Sequence, residues 1–271
     1  LEPFEWDRDR LTLRISEWER AVPGLVCGFT TRLGGLSAAP FDSMNCAMHV
    51  GDRDQAVIAN RELLTQKLQF SIEQWTCAEQ VHGNDVVVVT STQRGKGNKA
   101  LADAIPSADG LITGDSDVLL ASFYADCVPL FFIAPSQRVV GIAHAGWKGT
   151  AGNIGARMVE HFAQSFQIEP KEIRVAIGPS IGGCCYEVDG KVVEAIGVQL
   201  PKETEPTYTK MKENGKIQLD LKEANRVLLE RAGIHSILMS RLCSSCRNDL
   251  FYSYRKEAGR TGRMTAFIGF N

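Results

Sequence analysis

Val118-Leu119-Leu120-Ala121-Ser122-Phe123-Tyr124-Ala125-Asp126-Cys127-Val128-Pro129-Leu130-Phe131-Phe132-Ile133 is the stretch on which the fold turns. Each apolar run is short, aromatic and branched, and the polar break falls at Asp126-Cys127, which predicts two buried strands interrupted at the cysteine. Val139-Val140-Gly141-Ile142-Ala143 is a third run and stops at His144; Val86-Val87-Val88-Val89 is a fourth, with His82 just before it. Strand ends are held firmly by their sheet, so side chains far apart in sequence can converge there. Two imidazoles and a thiolate suit an open zinc site, in which three protein ligands leave the fourth position free. The segments are too far apart for a zinc-finger spacing, so the residues alone leave two readings: one converged site, or three separate, satisfied core side chains.

Outward from this region the pattern alternates. Further strands are predicted near Leu25-Phe29, Leu111-Thr113, Val175-Ile177, Ile237-Ser240 and Thr265-Phe270. Asp52-Arg53-Asp54 opens a helix running to about Leu68, and Thr150 to Phe166 carries apolar residues at four-residue steps. Asp220 with Glu223 resembles a capping box, and Gly233 is a natural stop. Thr92 to Lys99 and Pro201 to Gly215 read as surface loops. There are no repeats or low-complexity segments, and the expected architecture is a single α+β domain over residues 1–271, a mixed α/β sandwich.

Composition bounds the function class. A chain of 271 residues with 44% hydrophobic content can bury a large core. Lys plus Arg total 30 against 32 Asp plus Glu, so bulk charge points to no nucleic-acid or membrane partner, and no obligate protein partner is evident. Leu1 to Arg8 lacks the apolar core of a signal peptide, and no run is long enough to span a bilayer, which predicts a cytoplasmic protein. The eight cysteines are accordingly expected to be mostly reduced. Cys243-Ser244-Ser245-Cys246 reads as a lone C-x-x-C with no second ligand pair nearby, and Cys184-Cys185 as a packed turn.

The Gly-rich turn Gly146 to Asn153 opens the second helix, where backbone N–H groups and Lys148 can receive an anion or merely form a tight turn. Arg32 and the segment from Tyr254-Arg255 to Arg263 offer guanidinium groups beside glycines, suited to phosphate or to solvent alone.

The motifs Thr31-Arg32-Leu33-Gly34-Gly35, Met44-Asn45 with His49-Val50-Gly51-Asp52, Gln80-Val81-His82-Gly83, Ala108-Asp109-Gly110, Ala125-Asp126-Cys127-Val128-Pro129, Ala143-His144-Ala145-Gly146-Trp147, Gly178-Pro179-Ser180, Cys184-Cys185-Tyr186-Glu187 and Ser253-Tyr254-Arg255 together carry a resemblance over nearly the whole chain. It resembles the YfiH/YlmD-type purine nucleoside phosphorylases, also called laccase-domain or multicopper polyphenol oxidase proteins, with peptidoglycan editing factors among the members. The resemblance implies a fold like that of the cytotoxic-necrotizing-factor hydrolases and a zinc ion on His82, Cys127 and His144. It also implies phosphorolysis of adenosine, inosine and 5'-methylthioadenosine with inorganic phosphate as co-substrate, together with deamination of adenosine.

Zinc in this donor set activates water, which suits deamination, and a carboxylate must then carry the proton, for which Asp126 and Glu187 are the candidates. Asn45 and His49 are candidates to orient base or ribose, and Lys148, Arg32 and Arg255 to contact phosphate. A blue-copper centre plus a three-copper cluster needs roughly ten histidines. This chain has five, so laccase chemistry is not expected, although Cu²⁺ can enter such a site in vitro. The rival reading is an amide hydrolase acting on a peptidoglycan precursor, either through zinc or through a metal-free Cys127/His144 pair oriented by Asp126 or Asn153. A non-enzymatic binding module is the third.

Overall fold

Side chains alternate across a strand, and in the deciding stretch the alternation divides two apolar cores. Leu120 and Tyr124 enter one core, whereas Leu119, Ala121 and Phe123 enter another on the opposite face. In the run that follows, Phe131 and Ile133 join the first core while Val128, Leu130 and Phe132 face a third. Both faces of each strand are therefore covered, which is why these sequences are apolar almost without interruption.

A computed structural model describes residues 1–271. Two six-stranded sheets lie face to face. The first runs Glu5–Trp6, Thr12–Arg14, Leu25–Thr30, Met264–Phe270, Leu119–Tyr124 and Trp75–Cys77; the second runs Ser236–Met239, Arg174–Ile177, Val128–Ala134, Val139–Ala145, Gly110–Thr113 and Val86–Val88. Leu13, Phe29, Leu120 and Ile268 from the first meet Leu111, Phe131, Val140 and Ala176 from the second. Helices Ile154–Phe166 and Leu221–Arg231 cover the outer face of the second sheet, and Asp54–Lys67 covers the outer face of the first. The result is the expected mixed α+β sandwich.

The predicted pair of strands is not a hairpin within one sheet. Leu119–Tyr124 belongs to the first sheet and Val128–Ala134 to the second, so Ala125, Asp126 and Cys127 are the crossing between layers. Asp126 takes φ 85 there, a conformation rare for a residue with a side chain. His144 pairs across from Pro129, two residues beyond Cys127, because Val128–Ala134 and Val139–Ala145 run antiparallel. That register brings the cysteine and the histidine to one end of the sandwich.

The helix expected over Thr150 to Phe166 is broken. Trp147–Ala151 ends at Gly152, and Asn153, at φ 53, starts Ile154–Phe166 by accepting a hydrogen bond from the Ala156 N–H at 3.3 Å. Asn153 is thereby a helix cap and not an orienting partner for His144. Pro201 to Gly215, read as a loop, contains the turn of helix Glu205–Tyr208 and the strand Thr209–Met211 of a small three-stranded sheet with Ile217–Leu219 and Glu187–Val188. No helix is long and apolar enough to cross a membrane.

Candidate metal centre

His82, Cys127 and His144 come together at the sheet crossing, each offering a ligand atom within 4.8 Å of the others. The two imidazoles stand edge to face, with ring centroids 4.8 Å apart. Gly146 makes this approach sterically feasible: a Cβ there would lie 3.1 Å from Cys127 Sγ and 3.2 Å from the His82 ring.

A residue given no role from the sequence organises the cluster. Asp109 directly precedes Gly110–Thr113, the strand beside Val139–Ala145, and its main-chain oxygen accepts the His144 N–H at 2.7 Å. Its carboxylate accepts N–H bonds from Val81 at 3.1 Å, His82 at 3.1 Å and Gly83 at 2.7 Å, and lies 2.8 Å from His144 Nδ1. One buried carboxylate thus fixes the His82 loop, in which His82 holds φ 60, and turns His144 so that Nε2 faces the centre. Burial pushes the Asp109 acid up, but the bonds from His144 and the loop amides outweigh it and hold the group below its ordinary value.

Burial also acts to raise the Cys127 thiol, yet the two histidines overcome it and bring it down to about 6. The same thiolate, with Asp109, lifts His144 above the usual imidazole range against its own burial. Metal-free, the pair is a thiolate and an imidazolium, present above the Cys127 value and lost as pH rises through that of His144. In chelator-treated protein, iodoacetamide should therefore alkylate Cys127 at its full rate already near pH 7, as read by peptide mass spectrometry. A midpoint in the ordinary thiol range would contradict this electrostatic picture.

The cluster opens into a cavity of about 500 Å³, within the range of small-molecule sites. Its walls are His49, Gln80, Phe123, Ala125, Asp126, Trp147, Tyr186, Tyr254, Arg255 and Arg263 around the three donors. Gln80 exchanges two hydrogen bonds with the Phe123 main chain, fixing that wall. His49 stacks edge-on against Phe123, and the surrounding protein first, then the Arg263 charge, push its pKa down to about 4. Arg255 lies over Tyr186 and Arg263 over Tyr254, with guanidinium carbons 5.0 and 5.6 Å from the ring centroids. Both donate to main-chain carbonyls, Arg255 to Glu187 and Arg263 to Thr261 and Gly262, so neither charge is neutralised by those contacts.

Other sequence candidates lie elsewhere. Glu187 does not reach the cavity: it sits on the small sheet, ion-paired with Lys212, whose hydrogen bond holds it below the usual carboxylate value. Asn45 is fully buried and spends its amide on Ala47, Asp52 and the Arg263 N–H, so it supports the wall instead of facing a ligand. Arg32 binds the Asp42 and Asn248 carbonyls and the Glu257 carboxylate, in a separate depression. Lys148 is exposed, its ammonium 5.8 Å from the Trp147 ring centroid, and is absent from the cavity wall. Asp126 does line the cavity, with one oxygen accepting from Ser244 Oγ at 2.6 Å and the other from the Arg255 N–H at 2.7 Å.

A helix-flanked double sheet with three metal-capable donors at the crossing between its layers defines a laccase-domain protein of the YfiH/YlmD type. The family described as multi-copper polyphenol oxidoreductase laccase matches residues 26–271, and the chain belongs to it. Among its relatives, a protein named purine nucleoside phosphorylase YlmD from Geobacillus stearothermophilus is 49% identical over 91% of this chain and 90% of its own length. One of the same name from Bacillus subtilis is 41% identical over 95% and 94%. The crystal structure of YlmD from Geobacillus stearothermophilus covers all of both chains with a TM-score of 0.96 at 46% identity. The family's descriptive name does not match the donors present. Of the five histidines only His49, His82 and His144 border the cavity, too few for a multi-copper centre.

Proposed function

We propose that the chain is a zinc-dependent purine nucleoside phosphorylase that converts adenosine, inosine and 5'-methylthioadenosine to the free base and a ribose 1-phosphate, with a second activity as an adenosine deaminase. The observation that carries this reading is one cavity combining the His82/Cys127/His144 donors with four aromatic faces and two guanidinium groups. Relatives matched over nine-tenths of the chain are named purine nucleoside phosphorylase.

The donor set fits zinc: soft thiolate and imidazole, three in number, one imidazole already oriented through its far nitrogen by a carboxylate. Zinc held by them supplies a Lewis acid beside the substrate. The remaining work falls to the protein. Phe123, Trp147, Tyr186 and Tyr254 offer flat apolar walls for a purine ring. Arg255 and Arg263 receive phosphate, whose oxygen bonds to C1' of the ribose as the C1'–N9 bond breaks and the leaving base takes a proton. Asp126, the cavity's one carboxylate, holds the proton-transfer assignment that Glu187 loses. His49, neutral near pH 7, serves as a hydrogen-bonding partner for base or ribose.

Zinc-loaded protein incubated with adenosine, with and without phosphate, tests the reading by chromatography of the products. Base and ribose 1-phosphate should form only with phosphate, and inosine without it. No turnover in either arm would overturn it. Arg255→Ala and Arg263→Ala should each raise KM for phosphate about 10- to 100-fold, the worth of a hydrogen bond to a charged group, with a smaller change in KM for the nucleoside. Equal effects on both constants would remove the phosphate assignment.

One observation favours a second reading. Cys127, His144 and Asp109 stand as nucleophile, base and orienting carboxylate of a thiol hydrolase, with Asp109 in the place expected for Asp126 or Asn153. It predicts amide hydrolysis by chelator-treated protein through an alkylatable Cys127, whereas the phosphorylase reading predicts loss of activity on chelation.

A further inference from the structure

The second group of metal-capable side chains lies outside the cavity. Cys184, Cys185, Cys243 and Cys246 bring four sulfurs within 4.8 Å of one another. From the sequence, Cys243 and Cys246 lacked a partner pair; the fold supplies it from a turn about sixty positions earlier. We propose that these cysteines form a tetrathiolate site for one zinc ion, separate from the His82/Cys127/His144 cluster.

The geometry fits this ion. At a Zn–S distance of about 2.3 Å, sulfurs at the corners of a tetrahedron stand about 3.8 Å apart. The observed separations are 3.8 Å for Cys184 to Cys185, 3.6 Å for Cys184 to Cys246 and 3.4 Å for Cys185 to Cys246. A disulfide needs about 2.05 Å. An amide donor also faces the sulfur, since the Gly182 N–H lies 3.2 Å from Cys243 Sγ. Donors of this kind stabilise thiolate charge. Gly182 leaves room for the group, as a Cβ there would meet Cys184 Sγ at 3.2 Å and Cys243 Sγ at 3.5 Å. Beneath the site Lys222 is buried, its ammonium donating to the Ser240 and Leu242 carbonyls within electrostatic reach of Cys243 and Cys184. On binding, each thiol releases its proton to solvent as its sulfur bonds the metal, four in all, leaving a centre of net charge −2 that this cation partly offsets.

The site ties together two loops that are otherwise joined by little main-chain pairing, chiefly the isolated bridge between Ser180 and Cys243 and the Ser244 N–H on the Ser180 carbonyl. One loop leads into the cavity wall and the other supports it from behind. Tyr186 in its wall follows Cys185, and Ser244, next to Cys243, donates to Asp126. The second ion therefore fixes one wall of the first site without taking part in its chemistry.

Elemental analysis of protein made in zinc-supplemented cells and dialysed against zinc-free buffer tests the proposal without any assay of activity. Wild type should hold two zinc ions per chain, Cys127→Ala one, Cys184→Ser with Cys246→Ser one, and the triple variant none. Cobalt added to metal-depleted Cys127→Ala should give the intense visible bands of a tetrahedral thiolate site, an outcome that does not depend on the serine variants folding. Cys127→Ala that retains no zinc and gives no such bands, or a wild-type mass short of a pair of hydrogens from a disulfide within the cluster, overturns the proposal.

Discussion

Replacing Cys127 by alanine should abolish zinc at the His82/Cys127/His144 site and lower kcat/KM for nucleoside phosphorolysis by about 10³-fold, the several kcal/mol a Lewis acid contributes to charge stabilisation. The thiolate is the only anionic donor of the three. Without it, two neutral imidazoles must hold a doubly charged ion in a place where Arg255 and Arg263 already contribute positive charge. The fold should survive. Cys127 sits at the crossing between sheets, beside the cavity and not in the middle of a core, so the substitution opens space already continuous with solvent. Thermal melting of metal-free wild type and variant should be close, while metal content and activity separate them. Cys127→Ala that retains both this site's zinc and full phosphorolysis would remove the cysteine from the site's chemistry. Loss of activity with zinc retained there would instead favour the nucleophile of the thiol-hydrolase reading.

The strands around this cysteine were legible because the protein buries both faces of the central strands of its sheets. All nine predicted strands exist, since their apolar runs needed no partner to be recognised. Shorter elements escaped notice for the converse reason. Ser16–Ala21 buries only Trp18, and Gly190–Gly197 only Val193 and Ile196, so neither leaves a long periodic signal. The break at Gly152-Asn153 was hidden because the apolar spacing continues across it. In the site, His82, Cys127 and His144 stood out as metal-capable residues beside the ends of apolar runs. The candidate phosphate contacts were harder to place, since an arginine near glycines looks the same whether it borders the cavity, as Arg255 does, or is held in a separate depression, as Arg32 is. The four-cysteine cluster was split in the sequence into two incomplete halves. The signal available was that each half lacked what the other supplied.

Asp109 left the faintest trace, a lone acid ahead of a buried strand, yet its removal should be among the most damaging single changes in the chain. Asp109→Ala leaves the Val81, His82 and Gly83 N–H groups and His144 Nδ1 without their acceptor, a carboxylate that is itself fully buried. A loss of about 3–5 kcal/mol in folding stability is expected, as for breaking a buried charged pair. Zinc affinity at the His82/Cys127/His144 site should fall about 10- to 100-fold, because the His144 ring loses its orientation and the His82 loop its anchor. Asp109→Asn preserves the shape but turns an N–H₂ group toward donors, so it should lie between alanine and wild type, with activity partly restored by excess zinc. The sign of the pH dependence follows from the depressed acid. Its folded value lies below the unfolded one, about 3.9, so its stabilisation is complete above that pH and disappears as pH falls through the folded value. Denaturant unfolding of metal-free protein should therefore show wild type and Asp109→Asn far apart at pH 7 and converging at acid pH. A difference under about 1 kcal/mol at pH 7, the net value of a single neutral hydrogen bond, together with unchanged zinc affinity, would reduce Asp109 to an ordinary buried acid.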